Sequence, residues 1–160
     1  MDADLARQIW RYDPETGKFF WLVSSRYKVL IGDEAGYFDG KYNRLAYAGK
    51  QYKSARVAWL MMTGKWPVDQ IDHINQVKTD DRFCNLREAT NAQNVCNAKV
   101  RGRSSVRGIF KRAYGYQVYL HKGFKHFYIG SFKNLEDAVK ARNFASQKLH
   151  GEFATQERLL

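Results

Sequence analysis

Apolar residues first recur at helical spacing in ADLARQIWRY, where Leu5, Ile9 and Tyr12 predict one short helix over 3–12. DPETGK then reads as a turn, and KFFWLV (18–23) as a strand rich in aromatic and apolar side chains. YNRLAYAG (42–49) running into KQYKSA (50–55) predicts a hairpin that turns around Ala48-Gly49-Lys50. ARVAWLMMTGKWP (55–67) places Val57, Leu60 and Met61 on one helical face, with Gly64 as the stop and Pro67 beyond it.

The C-terminal third repeats this plan. VRGIFKR, YGYQVYLHKG and FKHFYIGSF predict three short strands, the last two joined at His121-Lys122-Gly123. NLEDAVKARNFASQKLHG carries the clearest helical period in the chain. Asn134 is its N-cap with Asp137 three residues on, Leu135, Ala138, Val139, Ala145 and Leu149 form the apolar face, and Gly151 closes it. Strand alternation puts Val118, Leu120, Phe127 and Ile129 against Leu135, Val139 and Leu149. Gln117, Tyr119, His121, His126 and Tyr128 then share the opposite face. Two hairpin-plus-helix units thus flank a middle segment, 71–98, of different character.

Charge sharpens this division. The 160 residues carry 27 Lys plus Arg against 16 Asp plus Glu, a net charge of +11, which fits a polyanionic partner. Residues 1–70 hold 11 basic and 8 acidic side chains, residues 71–98 hold 3 and 4, and residues 99–160 hold 13 and 4. Most of the excess is therefore C-terminal, and no acidic residue occurs between Glu88 and Glu136. Such a block attracts phosphates and releases counterions on binding. Hydrophobic residues make up 44% of the chain, enough for a folded core, and no apolar run approaches the ~20 residues needed to span a bilayer. MDADLARQ lacks the basic start and apolar run of a secretory signal. Cys84 and Cys96 are too few and too far apart for a disulfide scaffold or a Cys-x-x-Cys zinc site, and free thiols suit an intracellular setting.

The middle segment reads IDHINQVKTDDRFCNLREATNAQNVCNA. Asp72 and His73 are adjacent, Asn85 opens Asn-Leu-Arg-Glu-Ala-Thr, and Asn91, Asn94 and Asn97 recur every three residues on a short helix. Asp80 and Asp81 read as solvated loop residues. Across about 28 residues this order resembles the HNH endonucleases of the phage and intron-encoded branch. The resemblance implies a ββα-metal finger, in which a hairpin holding the His and a helix clasp one divalent cation. It implies that Asp72 is a metal ligand, His73 the general base, Asn85 a hairpin-fixing catalytic-site residue and Asn94 the second metal ligand. Spacing alone does not choose between Asn91 and Asn94. Two departures stand out. Relatives usually turn with Gly and a polar residue after Asp-His-Ile-Asn, where this chain has Gln76 and Val77. They also commonly carry His in His-Arg-Leu-Ala-Trp, where this chain has Ala55.

The chemistry is consistent with these roles. Phosphodiester hydrolysis needs an activated water, countercharge on the phosphate and help for the departing oxygen. A neutral imidazole takes a water proton at neutral pH. A carboxylate with an amide oxygen binds one hard cation, Mg²⁺, with Mn²⁺ as a substitute.

Residues 105–154 resemble the plant Apetala/ethylene-response-factor DNA-binding domain through VRGIF, YQVYL, FYIGSF and the helix ending KLHGEFA. That resemblance implies a three-stranded sheet laid in the major groove with a helix behind it. The expected DNA-contacting residues are Arg101, Arg103, Arg107, Lys111, Arg112, Tyr114, Gln117, Tyr119, Lys125, His126 and Tyr128.

The expected fold is α+β, a central ββα-metal finger (71–98) flanked by two small three-stranded-sheet-plus-helix units. These are an N-terminal DNA-clamping unit (1–70) and, after a basic linker (99–105), the Apetala-like domain (106–160). The expected function is a homing-type endonuclease cutting double-stranded DNA, a monomer or homodimer with no membrane and no protein partner implied. Its expected place is the cytoplasm of a bacterial host, encoded by a phage or mobile element. Two alternatives belong to other classes, a DNA-binding regulator with a degenerate finger and an RNA-binding protein that stacks single strands on its aromatic sheet.

Overall fold

The first helix, α1 (Ala3–Ile9), starts where the Asp2 carboxylate accepts the Leu5 amide at 2.9 Å. In the computed structural model, which describes residues 1–24, 29–97 and 106–154, this helix ends three residues earlier than its periodicity implies. Trp10 turns to extended backbone and Trp10–Asp13 forms β1, paired antiparallel with β2 (Lys18–Trp21). The reason lies in a double rhythm. Trp10 and Tyr12 also alternate with polar Arg11 and Asp13, and as a strand they pair with Trp21 and Phe19. Trp10 is fully buried with Trp21 and Tyr47 packed on it, while Leu5, expected on the buried face, is 38% exposed.

Two compact units make up the chain, Met1–Ala89 and Thr90–Leu160. In the first, β3 (Glu34–Ala35) completes the β1–β2 sheet. A second sheet is built from β4 (Tyr37–Phe38), β5 (Asn43–Tyr47) and β6 (Lys50–Lys53). Its β5–β6 turn falls at Ala48 and Gly49, both with positive φ, as a tight two-residue hairpin requires. Helix α2 (Ser54–Thr63) buries Val57, Leu60 and Met61 and stops at Gly64, whose φ of +78° lets its amide reach the Leu60 carbonyl. A two-stranded ladder, β7 (Gln70–His73) with β8 (Leu86–Ala89), carries the Asp-His pair. The hairpin strands therefore lie in the same compact unit as residues 1–70.

The second unit begins with α3 (Asn91–Asn97) and contains an antiparallel sheet, β9 (Ile109–Arg112), β10 (Gly115–Lys122) and β11 (Lys125–Phe132) in the order β11-β10-β9. Helix α4 (Leu135–His150) is capped by the Asn134 side chain accepting the Asp137 amide. Val106, Ile109, Val118, Ala138 and Val139 form the core, with Ile129 and Leu135 packed against it. Phe127 departs from expectation. It pairs with Leu120 near the hairpin end, beyond the cluster around Val118, and remains 36% exposed. A register shift between Val118 and Tyr119 separates the two stretches of that ladder. Leu149 is only half-buried, whereas Arg142, on the same helix, is buried. The described residues thus form a mixed α+β protein of small sheets and helices, and none of their helices is long and apolar enough to cross a membrane.

Candidate active site

Ladder register sets the site. On β7 and β8, Asp72 faces Arg87 and His73 faces Leu86. Arg87 donates from Nε and Nη2 to Asp72 Oδ2 at 2.9 and 2.7 Å. Asp72 is 4% exposed and His73 6% exposed, so neither is a surface group. A charged carboxylate at this depth needs a partner, and Arg87 supplies one.

His73 has a partner that the sequence reading placed in solvent. Its Nε2 lies 2.9 Å from Asp81 Oδ1, and Asp81 is 2% exposed. Three distant segments close on this residue, one at its carboxylate and two at its backbone. Asn43 at the start of β5 donates from Nδ2 to Asp81 Oδ2 at 3.1 Å and to the Thr79 carbonyl at 3.0 Å. Tyr12 on β1 donates its hydroxyl to the Asp81 carbonyl at 2.6 Å. Burial first, then the charge of Asp81, pushes the Tyr12 phenol well above its ordinary pKa and keeps it a donor. Gly17, in the β1–β2 turn at φ +74°, makes the third approach. A Cβ there would sit 2.6 Å from the Asp81 carbonyl carbon and the Arg82 amide nitrogen.

Asp80 is not a free loop carboxylate either. It accepts from Arg82 Nε and Nη2 at 2.7 and 2.6 Å and from Asn75 Nδ2 at 2.7 Å. The Arg82 hydrogen bonds above all, with Asn75 adding to them, hold its carboxyl at about 2. Asn85 bonds three times to the neighbouring loop. Its Oδ1 accepts the Asn75 amide at 3.0 Å, its Nδ2 donates to the Asp80 carbonyl at 2.8 Å, and its own carbonyl accepts the Ile74 amide at 2.9 Å. One buried amide thereby closes the 74–80 loop at both ends. Within that loop Gln76 has φ +64°, a left-handed conformation that favours glycine. Ala55, where a His is expected in relatives, lies buried at the start of α2 among core residues.

The remaining expected residues belong to the second unit. Asn94 is half-buried on α3 and Asn91 is exposed. Among the described residues no three His, Cys, Asp or Glu side chains converge on one point. On the sheet, Phe110, Tyr119 and Tyr128 form a row, the first pair edge-to-face at 6.0 Å and the second tilted at 5.2 Å, and His121 meets His126 at 4.1 Å. Arg112 donates to Gln117 Oε1 at 3.0 Å. Arg107 donates to the Val95 carbonyl at 2.9 Å. Tyr114 is 98% exposed, and Lys111 and Lys125 are also exposed. Arg101 and Arg103 lie outside the described residues.

Comparison with known proteins places the chain in a family. A family model described as HNH endonuclease matches residues 52–96, which take in α2, both hairpin strands and all but the last residue of α3. An uncharacterized HNH endonuclease of Acanthamoeba polyphaga mimivirus is 30% identical over 145 residues, covering 87% of this chain and 71% of that protein. No solved structure matches.

Proposed function

The chain belongs to the HNH endonuclease family, hydrolases that cleave DNA, and we propose that it does so as a metal-dependent, homing-type enzyme using His73 as general base. The observation that carries this reading is the buried His73–Asp81 pair beside Asp72. A carboxylate acceptor holds the proton of the ring on Nε2, so Nδ1 carries the lone pair. His73 then takes a proton from water at Nδ1, the water oxygen attacks phosphorus, and the bond to the 3′ oxygen breaks. Asp81 stabilises the imidazolium formed in that step and fixes the ring plane. Asn85 ties the 74–80 loop that joins the two groups, and Arg87 orients the Asp72 carboxylate.

Asp72 and Asn94 would hold one hard divalent cation, Mg²⁺ with Mn²⁺ able to replace it, which supplies countercharge for the phosphate and the leaving oxygen. The ligand assignment and the ββα-metal arrangement rest on the family resemblance of residues 71–98. The Apetala-like resemblance supports a reading in which the basic, aromatic sheet face of the second unit holds duplex DNA. The cytoplasm of a bacterial host, with a phage or mobile element as source, belongs to the same proposal.

The test is supercoiled plasmid incubated with protein and Mg²⁺ or EDTA, beside His73→Ala. Nicking or linearisation is expected only for wild type with Mg²⁺. Cleavage that survives both chelation and the substitution contradicts the mechanism. Tight duplex binding without any cleavage would instead favour a DNA-binding regulator.

A further inference from the structure

Three lysines from three separate segments converge on one tyrosine in the first unit. The ammonium of Lys53, on β6, lies 4.5 Å from the Tyr42 ring centroid. Lys78, in the 74–80 loop, lies at 5.3 Å and Lys41, in the turn before β5, at 5.4 Å. The ring face attracts cations, but it does not cancel the repulsion among them. Lys53 also stands directly opposite Arg44 in the β5–β6 ladder, a pairing of like charges that a sheet disfavours.

The acid closest in sequence is already committed. Asp39 Oδ2 accepts from Arg44 Nε at 2.6 Å, and Oδ1 accepts the amides of Tyr42 and Lys41 at 2.7 and 2.8 Å. Those contacts, the Tyr42 amide first, hold the Asp39 carboxyl at about 2 and fix the turn that presents Tyr42. Burial, then Arg44, Lys41 and Arg56, push the Lys53 ammonium below its usual range. Asp39 pulls the other way only as the weakest of these influences, so the fold concentrates positive charge around Tyr42, an arrangement that an external polyanion stabilises.

The location relates this charge to the reaction. Asn43, the next residue after Tyr42, hydrogen-bonds Thr79 and Asp81, and Asp81 holds His73. Lys78 sits in the same loop, one residue before Thr79. We propose that the Tyr42-centred lysines form a phosphate clamp that grips the DNA backbone beside the bond presented to His73. The identity of the polyanion rests on the nuclease reading above.

The test is duplex binding by the full chain in EDTA, read by fluorescence anisotropy from about 50 to 200 mM KCl. Lys41→Gln/Lys53→Gln/Lys78→Gln is compared with Lys18→Gln/Lys65→Gln/Lys140→Gln, which removes three charges elsewhere. Thermal melts verify that both variants fold. The clamp variant is expected to flatten the slope of log K against log salt by about 2 to 3, with affinity on the order of tenfold below the control variant. Equal slopes, with affinities within about twofold of each other, would overturn the clamp. Tyr42→Phe keeps the ring and is expected to bind as wild type; a loss as large as that of the triple variant would overturn the ring-centred arrangement. Plasmid cleavage with Mg²⁺ is read in parallel. Cleavage without any clamp-specific change in slope removes the clamp alone, whereas a clamp-specific slope without cleavage supports the clamp and removes the nuclease reading.

Discussion

Replacing Asp81 separates chemistry from scaffolding more sharply than any other substitution in this site. Asp81→Ala removes the acceptor of His73 Nε2 at 2.9 Å and one acceptor of Asn43 Nδ2 at 3.1 Å. Its third contact, from Tyr12 to the backbone carbonyl, does not depend on the side chain. Leaving a buried donor unsatisfied costs about 1–3 kcal/mol, and Asn43 retains the Thr79 carbonyl, so the loss of stability is expected near 2 kcal/mol. The loss of rate has a separate origin. Without the carboxylate, the ring loses the group that fixes its tautomer and stabilises the imidazolium, and each ~1.4 kcal/mol of lost transition-state stabilisation is tenfold in rate. The charge-assisted bond is of order 1.5–3 kcal/mol, so single-turnover cleavage should fall roughly 10- to 100-fold while DNA affinity holds. Asp81→Asn keeps the shape and an acceptor oxygen but turns an amide donor toward Asn43, and it should be less destabilising than Asp81→Ala while still slow. Single-turnover plasmid nicking, anisotropy and thermal melting together make the test. A wild-type cleavage rate in a folded Asp81→Ala protein would refute the positioning role.

Two backbone substitutions and one pH series test the loop that carries this pair. Gln76→Gly should raise stability by up to about 1 kcal/mol in denaturant unfolding, because it relieves a non-glycine residue at φ +64°; no gain would mean that the side chain compensates. Gly17→Ala should cost at least about 2 kcal/mol and slow cleavage, since its Cβ meets the 81–82 backbone at 2.6 Å; an unchanged melt would contradict that approach. Asp39 and Asp80 both titrate near 2 in the folded chain, below the unfolded value of about 4. Their contribution is present above the unfolded value and is lost as pH falls from about 4 toward 2, so Asp39→Asn/Asp80→Asn should flatten that part of the melting-temperature curve.

Local signals carried much of the fold into the sequence. The Ala48-Gly49 turn, the Gly64 stop and the Asn134 cap each depend on residues a few positions apart, and all three appear where their chemistry puts them. Boundaries with two competing rhythms were harder. Leu5, Ile9 and Tyr12 match a helix, yet Trp10 and Tyr12 gain more by pairing with Trp21 and Phe19. In the site, the Asp-His pair and Asn85 were legible because they sit in one ordered segment. Asp81 was not, since its burial is created by Tyr12, Gly17 and Asn43, which lie 38 to 69 residues away in sequence. A pair of loop aspartates carries no mark that tells the solvated one from the buried one. The grouping of Lys41, Lys53 and Lys78 around Tyr42 likewise exists only after β5, β6 and the 74–80 loop are assembled.

The central claim is that His73, held by Asp81, performs metal-dependent hydrolysis of DNA. Its most direct measurement is cleavage of supercoiled plasmid by wild type and folded His73→Ala in Mg²⁺, each repeated in EDTA. Conversion to nicked or linear DNA by wild type in Mg²⁺, with the other three reactions silent, is the predicted result. Undiminished conversion by folded His73→Ala in Mg²⁺ would contradict it.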